Sequence, residues 1–197
     1  MFLTQRIEQA IVRATVLHQH QQRKVSGVPY IVHPYSVAFL LAHYTDDEDV
    51  IIAGLLHDVL EDVPEYTAAM LQEEFGARVF RIVKEVTEDY LQGGNGKFLP
   101  QDSQSWRDRK AHYLDNIKND SQEALMVAAA DKIHNMRGLI DEHKLHGSEI
   151  WKIFKREPED LLWFYQEAAQ IIGDRLKHPL VDEMQRILKE FERVAVV

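Results

Sequence analysis

The sequence predicts an all-α fold, an irregular multi-helix bundle of about eight or nine helices. Three observations carry this expectation. Apolar residues recur three and four positions apart along most of the chain, the spacing of one helix face. No convincing run alternates apolar and polar residues at the period of two that a half-buried strand needs. Even the β-branched Val50-Ile51-Ile52 passes smoothly into helical spacing through Leu55 and Leu56.

The first helix runs from Leu3 to Gln21, with Ile7, Ala10, Ile11, Ala14, Leu17 and His18 at helical spacing. Ser26-Gly27-Val28-Pro29 is turn chemistry, and Pro34 opens a helix over Tyr35 to Tyr44. Asp47 or Glu48 starts the next helix, which Pro64 ends. Thr67 caps a short helix closed by Gly76, and a further one covers Ala77 to about Thr87. Glu88 to Ser105 turns polar and includes Gln92-Gly93-Gly94-Asn95-Gly96-Lys97 and Pro100. At about 18 residues this is long for a loop inside a domain, and it reads as a flexible excursion, either a lid or a disordered segment. Helical spacing resumes from Trp106 to Asn119. Asp120 with Glu123 resembles a capping box opening a long helix through Lys144. Two more helices cover Asp160 to His178 and Val181 to Val194, the first preceded by Trp151, Phe154 and Pro158.

At 197 residues with 45% hydrophobic content, one domain over 1–197 can bury its own core without disulfides. The chain has no Cys, which removes thiolate nucleophiles and Cys-ligated zinc and fits a reducing, cytoplasmic setting. No signal peptide or membrane span is expected, since no segment approaches about 18 uninterrupted apolar residues. The net charge of −9 argues against general affinity for nucleic acid, which depends on clustered Lys and Arg. An anionic small substrate would need a local cationic patch or a bound metal, and His20, Arg23 and Lys24 lie close enough in sequence to supply part of such a patch.

One segment interrupts the apolar logic. His57, Asp58, Glu61 and Asp62 follow directly on the apolar run Val50 to Leu56, and on a helix they fall within an arc of about 140°. Three carboxylates and an imidazole beside apolar neighbours are costly unless they share protons or hold a cation. Two further segments offer nitrogen or oxygen ligands, Tyr30-Ile31-Val32-His33-Pro34 and Ala130-Asp131-Lys132-Ile133-His134-Asn135. The second follows Met126-Val127-Ala128-Ala129-Ala130, a buried-looking helix that abruptly becomes ionic. Two His with two Asp suit Mn, Fe, Co, Ni, Zn or Mg rather than soft copper, and Mn2+ is the first choice.

The order of His33, the adjacent His57-Asp58 and then Asp131 resembles the HD phosphohydrolase superfamily. More narrowly, Ser26 to Pro34, Leu55 to Asp62 and Ala130 to Asn135 are similar to the hydrolase domain of RelA/SpoT homologues, in its small, single-domain alarmone-hydrolase form. The resemblance implies that His33, His57, Asp58 and Asp131 bind one Mn2+ and that Glu61 and Asp62 handle the attacking water. It implies a nucleotide substrate, (p)ppGpp, cleaved to pyrophosphate and GDP or GTP. Arg23 and Lys24 would neutralise phosphate oxygens. Lys132 and Asn135 could face the nucleotide, Asn135 equally serving to fix a ligand's orientation. Lys110, with Trp106 and Arg109, lies where a lid would rejoin the body and could contact phosphate or base. His18, His20, His112 and His134 receive no role from spacing alone.

The chain departs from the alarmone-hydrolase pattern at two places. Val25 shifts the spacing between the basic pair and Ser26-Gly27, and a Gly-rich excursion led by Glu88-Asp89 replaces a short basic connection after Val86-Thr87. Two other readings stand beside the first: an HD phosphohydrolase for an adenine alarmone or a deoxynucleotide, and a non-catalytic all-α interaction module. A homo-oligomer is compatible with either.

Overall fold

The computed structural model describes residues 3–88 and 103–195, with side chains from 106 onward in the second stretch. Among the described residues there are ten helices and no named strand. They are α1 (Gln5–Leu17), α2 (Val32–Tyr44), α3 (Glu48–Leu56), α4 (Val59–Asp62), α5 (Ala68–Val86), α6 (Ser103–Ile117), α7 (Gln122–His146), α8 (Glu149–Phe154), α9 (Pro158–Arg175) and α10 (Pro179–Ala195). No helix of the described residues is long and apolar enough to cross a membrane.

The centre of the bundle is α7, and its sequence explains why. Every residue from Ala124 to Ala130 is buried, so this half of the helix is apolar all round and must be surrounded. The small side chains at Ala128, Ala129 and Ala130 let neighbouring helices come close, and α2, α3, α5, α9 and α10 all pack on α7. Helix α3 is likewise buried from Val50 through Leu56. The core joins Leu41, Ile52 and Leu56 from the N-terminal half to Leu125, Ile133, Met136 and Phe191 from the other. Each such side chain contributes about 1.5–3 kcal/mol on burial.

Local signals set most helix starts. Thr4 and Thr67 accept from the amides of Ile7 and Met70, and Asp47 from that of Asp49. Gly76 adopts φ 90°, which a side chain rarely tolerates, and kinks α5 where the sequence predicts one helix to close and another to start.

Four expectations need correction. The capping box at Asp120 and Glu123 does not form: Ser121 is the cap, accepting from the Ala124 amide, while Glu123 is drawn outward to Arg78 at 3.1 Å. Trp151 and Phe154 belong to a short helix of their own, α8, which the spacing did not predict. Of the segment read as flexible from 88 to 105, Glu88 is held by a hydrogen bond and α6 already begins at Ser103; the rest lies outside the described residues. Finally, the helix expected to carry His57 through Asp62 breaks into α3 and α4 at His57-Asp58.

Candidate metal centre

The break between α3 and α4 places the first cluster. The ring of His57 faces back along α3, and its Nδ1 donates to the carbonyl of Gly54 at 2.9 Å. His57 and Asp58 keep right-handed dihedrals (φ −61°, ψ −31° and φ −93°, ψ −7°), so the chain tightens rather than reverses. It recovers helical bonding at once, with the amides of Glu61 and Asp62 donating to the Asp58 carbonyl at 3.1 and 2.9 Å. His33 comes from the start of α2, where the turn at Pro29-Tyr30 is closed by the His33 amide donating to the Tyr30 carbonyl at 2.8 Å. Asp131 comes from the middle of α7.

These separate segments bring four donor atoms together. His33 Nε2 lies 3.2 Å from His57 Nε2, 3.5 Å from Asp58 Oδ2 and 3.1 Å from Asp131 Oδ1. His57 Nε2 lies 3.2 Å from Asp58 Oδ2 and 3.7 Å from Asp131 Oδ1. Donors bound about 2.0–2.2 Å from one ion sit roughly 3.0–3.6 Å apart in tetrahedral or octahedral arrangements. His33, His57 and Asp58 place their donor atoms within 4.8 Å of one another, as one small divalent ion requires, and Asp131 Oδ1 approaches both imidazoles. The tautomer fits as well: with His57 giving its Nδ1 proton to Gly54, the neutral ring turns an Nε2 lone pair inward. The chemistry of the set is hard-to-borderline, two nitrogens and two oxygens.

A second layer holds these groups. Tyr30 Oη donates to Asp58 Oδ2 at 2.5 Å. Asn135 Nδ2 donates to Asp131 Oδ1 at 2.6 Å, Lys132 Nζ to Asp131 Oδ2 at 2.7 Å, and Arg23 reaches Asn135 Oδ1 at 3.2 Å. Lys132 is buried, with its ammonium 4.6 Å from the centroid of the Tyr113 ring. The other ring nitrogen of His33, Nδ1, meets Nδ1 of His134 at 2.7 Å.

Electrostatics separates the carboxylates into two kinds. Burial opposes ionisation of Asp58, but the imidazoles of His57 and His33 outweigh it and hold the carboxyl well below its ordinary range. Asp131 is likewise held down against burial, chiefly by Lys132 and His33, and Lys132 is raised against burial by Asp131. Burial also opposes the charged form of His57, and the two aspartates reverse that effect and raise it. Glu61 behaves differently. Burial first, then the charges of Glu88 and Asp58, push it up to about 8. Asp62 is raised as well, by burial and by Asp58.

Glu61 is tied to the end of α5: its Oε1 accepts the Glu88 amide at 2.6 Å, and the Glu88 carboxylate pairs with Lys110. Lys110 thus sits in the site against the Phe164 ring, 4.8 Å from its centroid. Asp62 borders the larger of the two cavities that meet at this cluster. That one, about 620 Å³, is lined by Arg23, Lys24, Tyr30, His33, His134 and Asn135 among others. The other, about 230 Å³, is lined by Asp58, Lys110, Asp131, Lys132 and Phe164, and shares Tyr30, His33 and Asn135 with the first.

Of the residues singled out from the sequence, Arg23, Lys24, His33, Asp58, Asp62, Lys110, Asp131, Lys132 and Asn135 line these two cavities and Trp106 the smaller; His57 meets them at the cluster, and Glu61 lines neither. Sequence reasoning missed the supports: Gly54, Tyr30, Glu88 and His134. For His134 a signal existed, since it stands three positions beyond Asp131 and so on the same face of α7. His18 is buried, its Nδ1 2.6 Å from Gln21 Oε1, while Gln21 donates to the Asp62 carbonyl; His20 and His112 are exposed.

Known proteins resemble the chain over the same region. A putative chloroplastic GTP diphosphokinase, RSH1 of Arabidopsis thaliana, is 38% identical over 198 residues, covering 90% of this chain but 22% of the plant protein. The guanosine-3′,5′-bis(diphosphate) 3′-pyrophosphohydrolase MESH1 of Mus musculus is 38% identical over 125 residues, 62% of this chain and 63% of that one. The chain therefore spans less than two thirds of either relative's length. Among solved structures, a metazoan ortholog of SpoT described as hydrolysing ppGpp superposes with a TM-score of 0.76 at 24% identity, covering 96% of this chain and 97% of that one. The lmo0812 protein of Listeria monocytogenes superposes at 0.67 with 30% identity, covering 80% and 96%. The family model of the HD domain matches residues 10–156, a span that takes in both imidazoles and both aspartates at the centre, and the chain belongs to the HD-domain family.

Proposed function

We propose that the chain is a metal-dependent phosphohydrolase, a (p)ppGpp 3′-pyrophosphohydrolase that releases pyrophosphate together with GDP or GTP. The observation that carries this reading is the convergence of two imidazole nitrogens and an Asp58 oxygen at ion-sized separations, with Asp131 against both imidazoles, next to a half-buried glutamate whose pKa is pushed up to about 8. His33, His57, Asp58 and Asp131 would hold one Mn2+. Such an ion supplies positive charge to a phosphate oxygen and makes water easier to deprotonate. The names of the relatives, 3′-pyrophosphohydrolase in the mouse protein above all, agree with the substrate.

The side chains then divide the work. The larger cavity has room for a nucleoside with its 5′ phosphates, and Arg23 and Lys24 line it. The smaller, with Lys110 and Lys132 on its walls, has room for a pyrophosphate. A phosphorus on the ribose 3′ oxygen would bridge the two, beside His33, Tyr30 and Asn135. Glu61 is the acid–base group: a pKa near the operating pH lets it take a proton from the attacking water and release it again. Asp62, on the edge of the larger cavity, orients that water. Asn135 orients Asp131 as well as bordering the nucleotide. The lack of cysteine fits a cytoplasmic enzyme.

The test is product analysis after incubation of the chain with ppGpp and Mn2+, alongside Asp58→Asn. Pyrophosphate and GDP from the wild type, and none from the variant, is the expected result. Orthophosphate as the only product, or equal rates in both proteins, overturns the proposal. Preference for an adenine or deoxynucleotide analogue in the same assay would keep the hydrolase and replace its substrate.

A further inference from the structure

We infer that His134 is a positioning residue: it accepts the Nδ1 proton of His33 and so fixes the ring form in which His33 can hold a divalent cation. The inference rests on His33 being a ligand, as proposed above. It starts from the 2.7 Å between the Nδ1 atoms of the two rings. Two ring nitrogens that close need one proton between them, and two arrangements supply it. If His134 donated, His33 would carry its own proton on Nε2 and aim it at the place where His57 Nε2 and Asp131 Oδ1 converge. That arrangement closes the site to a cation. If His33 donates, its Nε2 offers a lone pair to the same place, and the ligand set is complete.

The second arrangement also defines His134. Accepting at Nδ1, a neutral ring carries its proton on Nε2, and His134 borders the larger cavity. The two imidazoles are thus fixed by different means. His57 is held by a main-chain carbonyl within its own helix, while His33 depends on a side chain from α7. The same helix supplies Asp131 and its clamp Asn135, so one turn of α7 provides a ligand and sets the orientation of two. His134 is not itself placed to bind the ion, because its Nδ1 faces the far side of the His33 ring from Nε2.

The test uses the full chain, stripped of metal and titrated with Mn2+, the free ion being followed by its electron paramagnetic resonance signal. His134→Phe keeps a ring of similar size and removes the acceptor. His134→Asn places an amide oxygen near the position of Nδ1. Loss of such a partner weakens metal binding by about 10–100-fold, the effect expected for His134→Phe, while His134→Asn should stay within about threefold of wild type. Far-ultraviolet circular dichroism and the melting temperature verify the fold, and His134→Leu takes the place of the Phe variant if that one does not fold.

Three results would overturn the inference. The acceptor-less variant could bind Mn2+ as tightly as wild type, or the Asn variant as weakly as the Phe variant. X-ray absorption could find three imidazoles around Mn2+ in the wild type, making His134 a ligand instead. Failure of the reading beneath it looks different: wild type would bind no Mn2+, or His33→Ala would bind it undiminished.

Discussion

The carbonyl oxygen of Gly54 accepts the Nδ1 proton of His57 at 2.9 Å, within a single turn of chain. α2 also packs tightly against Gly54, since a Cβ there would lie 2.5 Å from Leu41 Cδ1 and 3.5 Å from the Cα of Ala38. Leu41 is fully buried and has little room to retreat. Gly54→Val should therefore lower stability by about 1–3 kcal/mol through overpacking. It should also weaken Mn2+ binding by displacing the carbonyl that orients His57. Urea unfolding and metal titration check the two effects; a variant as stable as wild type would show that α2 yields at this point.

Glu61→Gln separates proton transfer from shape. The amide keeps the volume and can still accept the Glu88 amide through its oxygen, but it cannot take a proton from water. A loss of about 10²–10⁴ in kcat is expected, with the dissociation constant for Mn2+ nearly unchanged. Steady-state kinetics beside the metal titration reads both.

Lys132, on the wall of the smaller cavity, is also engaged with Asp131. Lys132→Met leaves the half-buried Asp131 without its ammonium partner, and in metal-free protein that should cost about 1–3 kcal/mol. Added Mn2+ should recover part of the loss by taking over the charge on Asp131. Melting curves with and without the ion test this, and a purely substrate-binding lysine would instead raise KM and leave the melting curves alone.

Away from the site, Arg78 grips Asp47 through two nitrogens, at 2.5 and 2.8 Å. That hydrogen bonding, opposed by partial burial, holds the Asp47 carboxyl below its ordinary value. A folded pKa below the unfolded one stabilises above the unfolded value of about 3.9, and the contribution fades as pH falls through it toward the lower folded pKa. Asp47→Asn keeps a good helix cap and removes only the charge, so it should cost at most about 1 kcal/mol at pH 7 and leave stability less sensitive to acid below pH 5. Urea midpoints from pH 3 to 7 for both proteins measure the difference.

What could be read in advance followed from periodicity. The long α7 was legible because Met126 to Ala130 are apolar all round and then give way to charge, and the kink at Gly76 because glycine alone punctuates an otherwise helical run. The grouping of His33, His57-Asp58 and Asp131 was legible through motif resemblance, since spacing alone does not say that His33 and Asp131 meet. What escaped was decided by packing between distant parts. The break after Leu56 depends on the His57 ring turning back onto Gly54, and Ser121 displaces Asp120 as cap while Arg78, far away in sequence, draws Glu123 outward. The engagement of Lys132 and Lys110 with Asp131 and Glu88 likewise appears only once the helices are packed.

Because His33, His57-Asp58 and Asp131 arrive from three stretches of chain, a cation bound among them is also a staple. It closes two long loops at once, and the chain entropy it withholds from the unfolded ensemble grows with their length. Occupancy of the centre would thus be written into the resistance of the whole bundle to proteases, with no nucleotide present.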